Sequence, residues 1–128
     1  MRPAFLTLDE VVEIHHDLIA RYGGEPGIRD AGLLESAVNM PRMGTQNGYV
    51  HADIAEMAAA YLFHIVRNHP FVDGNKRTGL AAAYVFLRLN GLELHAPEVQ
   101  FEQVVRDTAE GKLDKGQVSD FLRRHIDG

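Results

Sequence analysis

Apolar residues recur at helical spacing along nearly the whole chain, and glycine, proline and asparagine mark the breaks between runs. Val11, Ile14, His15, Leu18, Ile19 and Tyr22 share one helix face. Thr7 with Glu10 three residues later predicts a capping box at its start, and Gly23-Gly24 ends it. Pro26-Gly27 reads as a turn. Asp30 can cap a shorter helix with Leu33, Leu34, Ala37 and Val38, which Pro41 stops. Helix is predicted again from His51 to about Asn68, with Ile54, Met57, Ala58, Tyr61, Leu62 and Ile65 on its apolar side. Another runs from about Lys76 to Leu89, closed by Asn90-Gly91. Its residues from Leu80 to Leu87 are apolar on every face, the pattern of a central, buried helix. Pro97 opens a helix with Val99, Phe101, Val104 and Val105 inside and Gly111 at its end; the last helix carries Val118, Phe121, Leu122 and Ile126.

The pattern fails in two places. Pro41 to Val50 is the least helical stretch, and Asn47-Gly48 within it is a hairpin-turn signal that predicts a small β-flap. The other break is His69-Pro70-Phe71-Val72-Asp73-Gly74-Asn75-Lys76-Arg77-Thr78-Gly79, between the two longest helices. The expected fold class is therefore all-α: a compact bundle of about six helices with a small β-hairpin flap, one domain over residues 1–128.

Composition narrows the function. The 128 residues are 45% hydrophobic and 24% charged, with a formal net charge of −5. Nucleic-acid binding domains usually carry a basic surplus, so direct DNA or RNA binding is not expected. The absence of cysteine excludes disulfides and thiolate zinc sites. No apolar run reaches the roughly 18 residues of a membrane span. Asp9 and Glu10 come too early for a signal peptide, so a cytoplasmic location is expected.

The second break carries the chemistry. A helix N-terminus presents unpaired N–H groups and the positive end of the helix dipole, where phosphate binds readily. Gly74 allows a tight turn and close approach of a ligand. Lys76 and Arg77 at the first helical positions oppose the dipole by roughly 0.3–1 kcal/mol each, and a bound polyanion would supply the reason. Arg77 can clamp phosphate oxygens bidentately, with Lys76 as a point charge. Asp73 is a candidate Mg²⁺ ligand beside substrate phosphates. His69 is the motif group whose ordinary pKa lies near neutrality, hence the candidate general base. Phe71 is expected to anchor the loop in the core. Taken singly these residues are ordinary: Asp73-Gly74 is a common turn, Asn75 a common N-cap. Taken together they are hard to explain by packing.

The ordered set His69, Phe71, Asp73, Gly74, Asn75 and Arg77 resembles the signature of the Fic/Doc family, His-x-Phe-x-(Asp/Glu)-(Gly/Ala)-Asn-x-Arg on an all-α core. Lys76 stands where Fic enzymes have a second glycine and is similar to the Doc, or death-on-curing, branch. The likeness extends to Arg21-Tyr22-Gly23-Gly24 with Pro26-Gly27 and to Phe86-Leu87-Arg88-Leu89-Asn90-Gly91. The resemblance implies a toxin of a type II toxin–antitoxin module, a transferase using ATP and Mg²⁺. It implies transfer of the γ-phosphate to a Thr or Ser hydroxyl of a target protein, with translation elongation factor Tu as the expected target and translation inhibited. In that reading His69 is the base, Asp73 the metal ligand, and Gly74, Asn75, Lys76 and Arg77 the nucleotide-binding residues. The flap would align the target by strand addition. A small, partly disordered antitoxin is the implied partner, and no inhibitory helix of the Fic type is present in the sequence. The Lys76 side chain fills part of the anion nest that glycine would leave open, which favours phosphoryl transfer over the Fic reaction, transfer of AMP.

Other readings stand beside this one. His15-His16-Asp17 invites a metal phosphohydrolase, although His15 falls on the apolar face. A binding module without catalysis is a further alternative. His64 is expected to pack rather than catalyse. Arg67 and Asn68 either orient His69 or touch a nucleotide, with helix C-terminal capping an equal explanation for Arg67, and Glu102, Asp107 and Glu110 read as a solvated acidic face.

Overall fold

A computed structural model of the chain describes residues 2–127. Helix α1 (Leu8–Tyr22) starts on the expected capping box. Thr7 Oγ1 accepts from the Glu10 N–H at 3.1 Å, and Glu10 Oε1 accepts from the Thr7 N–H at 2.8 Å. Gly23, at φ 84°, closes it. Asp30 caps α2 (Ala31–Asn39), accepting from the Leu33 N–H at 3.0 Å. Pro41 does not stop the chain abruptly: α2 tightens into a 3₁₀ turn, Met40–Arg42, that contains it. The flap follows as β1 (Gly44–Thr45) and β2 (Gly48–Tyr49), antiparallel with Thr45 opposite Gly48. Gln46 and Asn47 make the turn, so the Asn47-Gly48 signal straddles its end.

Helix α3 (Ile54–Asn68) begins at Ile54 rather than His51, because the Asp53 carboxylate accepts from the Glu56 N–H at 2.9 Å and fixes the N-cap there. His51 is left outside the helix yet buried, and neither ring nitrogen finds a hydrogen-bond partner among the described residues. Helix α4 (Asn75–Leu89) follows the motif. Then come β3 (Glu93–Leu94), α5 (Glu98–Ala109), α6 (Lys115–His125) and β4 (Ile126–Asp127). β3 and β4 pair antiparallel, an element the hydropathy pattern did not predict; Ile126 belongs to this strand and not to α6. Val99, expected inside, is 75% exposed.

The central helix is α3, not α4. α3 packs against α2, α4, α5 and α6, and Ala55, every residue from Met57 to Leu62, Ile65 and Val66 are buried. In α4 the apolar run from Leu80 to Leu87 includes Tyr84 and Val85, 36% and 38% exposed. α4 is packed by α1, α3, α5 and β3 yet leaves these two side chains partly open to solvent, which its all-round apolar pattern does not foretell. Gly79 sets the spacing of the α3–α4 pair: a Cβ there would lie 2.6 Å from Val66 Cγ2 and 3.2 Å from the Leu62 carbonyl oxygen. Tyr61, Phe71 and Phe86 are the largest fully buried side chains, each contributing about 1.5–3 kcal/mol of apolar burial. The Tyr61 hydroxyl accepts from the Leu6 N–H at 2.9 Å, and burial pushes its pKa up to about 12. Asn90 grips the leading segment, bonding both the N–H and the C=O of Ala4 at 2.8 and 2.9 Å. None of the described helices is long and apolar enough to cross a membrane.

Candidate active site

The motif starts where α3 stops. His69 is the C-cap residue, with φ 49° and ψ 54°, the one non-glycine residue among those described with positive φ. Such a backbone is strained and persists where surrounding contacts impose it. The carbonyls at this helix end meet Arg29, which donates from Nε to the His69 oxygen at 2.6 Å and from Nη2 to the Asn68 oxygen at 2.8 Å. A cation on the negative end of the dipole is favourable. The Arg29 and Asp30 N–H groups both reach the Pro70 carbonyl, Val72 N–H reaches the Gly27 carbonyl, and Ile28 and Phe71 form an antiparallel bridge.

Phe71 is buried as expected and carries the loop with it. Its ring stacks on His15 at 3.8 Å with 5° between planes. His15 Nε2 then lies 2.8 Å from the Asp73 carbonyl. A carbonyl can only accept, so His15 carries its proton on Nε2. Asn75 is buried and its amide is committed to the loop: Oδ1 accepts from the Phe71 N–H and Nδ2 donates to the Phe71 carbonyl, both at 3.0 Å. Nδ2 also lies 3.3 Å from His69 Nδ1. The Asn75 side chain, expected at the phosphates, thus also shapes the turn.

Gly74 is the N-cap of α4, at φ 79°, and no side chain caps the helix. The first-turn N–H groups therefore lack an intrahelical partner and open onto the site. A Cβ at Gly74 would lie 3.2 Å from Ile19 Cδ1 and 3.6 Å from the His15 ring. The Asp73 carboxylate accepts from the Glu25 N–H at 3.2 Å and from the Gly74 N–H at 2.8 Å. Those bonds, with Lys76 and Arg77 close by, hold its pKa below the usual carboxylate range. The ionised group keeps lone pairs for a cation. Gly24, at φ 116°, makes room for it: a Cβ there would sit 2.9 Å from Asp73 Oδ2. In sequence Gly23-Gly24 read only as a helix end. Lys76 and Arg77 are exposed, and the Arg77 guanidinium lies 4.6 Å over the Tyr22 ring.

These groups face a cleft of about 490 Å³. One wall is the motif, with His69, Val72, Asp73 to Arg77 and Leu80; the other is α5, with Glu102, Val105 and Arg106. The volume is that of a small-molecule site. Nothing in the sequence points to Arg29 or Arg106; Glu102 is exposed, as expected, and lines the cleft. The structure gives the neighbours of the motif structural work instead. Arg67 reaches the Thr108 carbonyl at 3.4 Å, Asn68 reaches the Leu33 carbonyl at 3.4 Å, and His64 contacts Lys115 Nζ at 3.1 Å.

The metal phosphohydrolase reading fails on geometry. His15 is buried under Phe71 with Nε2 committed to Asp73, while Asp17 pairs with Arg21 at 3.0 Å in solvent. No group of three or more metal-binding side chains occurs among the described residues.

Comparison with known proteins agrees with the site. The model of the family described as Fic/DOC matches residues 5–87. The protein kinase doc of Escherichia phage P1 is 36% identical over 121 residues, 93% of each chain. The toxin Doc of Mycolicibacterium smegmatis is 45% identical over 75 residues, 59% of this chain and 58% of that one. With the motif complete and the family match covering most of its length, the chain belongs to the Fic/DOC family.

Proposed function

We propose that this protein is the toxin of a type II toxin–antitoxin module and transfers the γ-phosphate of ATP to a Thr or Ser hydroxyl of a target protein. The observation that carries this is the convergence of His69, the ionised Asp73, the uncapped N-terminus of α4 and the Lys76 and Arg77 side chains on one cleft. Phosphoryl transfer demands positioning and charge stabilisation more than covalent chemistry, and this wall offers both. The named activity of the phage P1 relative supports kinase over AMP transferase.

In this reading the α4 N–H groups, Lys76 and Arg77 bind and orient the phosphates. Asp73, with its backbone bonds already made, would hold Mg²⁺, which would supply positive charge to offset that of the phosphates. His69 receives the proton of the incoming hydroxyl. The contact from Asn75 Nδ2 to His69 Nδ1 favours the tautomer protonated on Nε2. Accepting through Nε2 then requires a tautomer change, for which the ring is exposed to solvent. A late proton transfer suits a loose transition state, where the nucleophile needs little activation. The exposed β1–β2 edge, with Met43, Tyr49 and Val50 beside it, would align the target segment. Translation elongation factor Tu is the first target to test, and a small antitoxin the expected partner.

The experiment is intact-mass analysis of elongation factor Tu, and of a bacterial lysate, after incubation with the protein, ATP and Mg²⁺. Added phosphate supports the proposal. Added AMP would make the protein an AMP transferase, and equal modification by His69→Ala would remove His69 from the reaction.

A further inference from the structure

The cleft has two walls, and only one belongs to the motif. The other is a single face of α5, where Glu102, Val105 and Arg106 follow one another at i, i+3 and i+4. Val105 is buried and fixes this face, while the Glu102 and Arg106 side chains are exposed in the cleft.

A glutamate four residues before an arginine is the favoured arrangement for an ion pair on a helix. Here the pair does not form, and neither residue has an ion-pair partner among those described. The Arg106 Nη2 is turned to the neutral Gln103 Oε1 at 3.3 Å, while Gln103 itself donates to Asp107 at 2.8 Å. A cation and an anion therefore stand one helical turn apart, both open to whatever fills the cleft.

We infer that α5 is the second reading wall of the nucleotide site, with Arg106 binding a phosphate from the side opposite Lys76 and Arg77 and the Glu102 carboxylate accepting hydrogen bonds donated by the ribose hydroxyls. The inference rests on the nucleotide reading of the cleft. The motif wall grips a polyphosphate from one side only. A guanidinium on the facing wall closes the clamp with a planar donor set that matches phosphate oxygens. A carboxylate in the same cleft repels phosphate, so its useful partner is a donor. The vicinal hydroxyls of ribose are such donors, and acidic side chains serve this purpose in dinucleotide sites. Leu80 and Val105 supply apolar surface between the two contacts. Arg106 and Glu102 are binding residues in this account.

Calorimetry with Mg²⁺ and three probes tests it: ATP, 2′,3′-dideoxyATP and inorganic tripolyphosphate. Arg106→Gln is expected to weaken ATP and tripolyphosphate alike, by about tenfold for one charge-assisted contact, with Arg106→Lys recovering part of the loss. Glu102→Ala is expected to weaken ATP, erase the preference of the wild type for ATP over the dideoxy analogue, and spare tripolyphosphate. Both side chains are exposed, so thermal melts of the variants should match wild type. Arg106→Gln binding ATP within twofold of wild type would overturn the inference. So would Glu102→Ala weakening tripolyphosphate as much as ATP, which would make Glu102 a second Mg²⁺ ligand. If wild type modifies its target while both variants bind like it, this inference falls and the proposed function stands. If wild type binds neither ATP nor tripolyphosphate, both fall.

Discussion

Asn75 grips Phe71 by both backbone polar atoms, accepting from its N–H and donating to its carbonyl at 3.0 Å each. Asn75→Asp keeps the first bond but turns a carboxylate oxygen on the Phe71 carbonyl. The expected cost is about 1–3 kcal/mol, the range for a buried polar group left without its partner. Urea denaturation measures it. The proposed phosphoryl transfer should fall by more than the unfolded fraction explains, because the amide also contacts His69. A variant as stable and active as wild type would show that the turn is held by other bonds.

His69 is held in the left-handed region, which glycine enters without strain. His69→Gly is expected to raise stability by up to about 1 kcal/mol while abolishing transfer. His69→Ala is expected to abolish the proposed transfer but keep the strain. Thermal melts should therefore rank Gly above both Ala and wild type; the reverse order would mean the strain costs nothing here.

Gly79→Ala drives a methyl group toward Val66 Cγ2, 2.6 Å away, at the α3–α4 contact. The overpacking should cost about 1–3 kcal/mol, read as a lower denaturation midpoint. Gly116→Ala on α6 meets only Asp114 Oδ1 at 3.4 Å and should be neutral or stabilising, by up to about 1 kcal/mol. Equal effects at the two glycines would contradict the close helix contact.

Burial lowers the pKa of His64 to about 4, with Lys115 and then His51 adding to the effect; His51 is also lowered, by burial first. The fold thus favours the neutral rings, and the unfolded chain binds more protons below the ordinary value near 6.5. Stability from His64 is complete above about pH 6.5 and is lost as pH falls toward 4. After discounting for the solvent that screens a half-buried ring, the loss is about 1–2 kcal/mol. Melts from pH 7 to 4 measure it. His64→Gln should flatten that slope, and an unchanged slope would assign the acid sensitivity elsewhere.

What the sequence disclosed was local. Thr7 and Glu10 cap their own helix, Asp30 caps the next, and Phe71 lies in the core, because each signal acts over a few residues. What depended on distant partners stayed hidden. The apolar run of α4 did not say which side would be covered. Strands of two residues are too short to show alternation, so β3 and β4 were missed. Arg29 lies about forty residues before the carbonyls it caps, and nothing in its own neighbourhood points to them. Asn75 had the opposite difficulty: its motif position was plain, but its bonds to the Phe71 backbone depend on the turn the chain makes between the two residues. Glu102 and Arg106 looked like ordinary surface because the facing wall is brought to them by the α4–α5 packing.

The motif segment is bolted to α1 through His15, to the Gly27–Asp30 stretch through backbone bonds, and to α4 through Asn75, all before a ligand arrives. A ligand entering the cleft has little chain to order, so binding loses little entropy. A centre built in this way holds its geometry with no ligand present. Anything that fills the mouth of the cleft or covers it would block such a centre without having to remodel it.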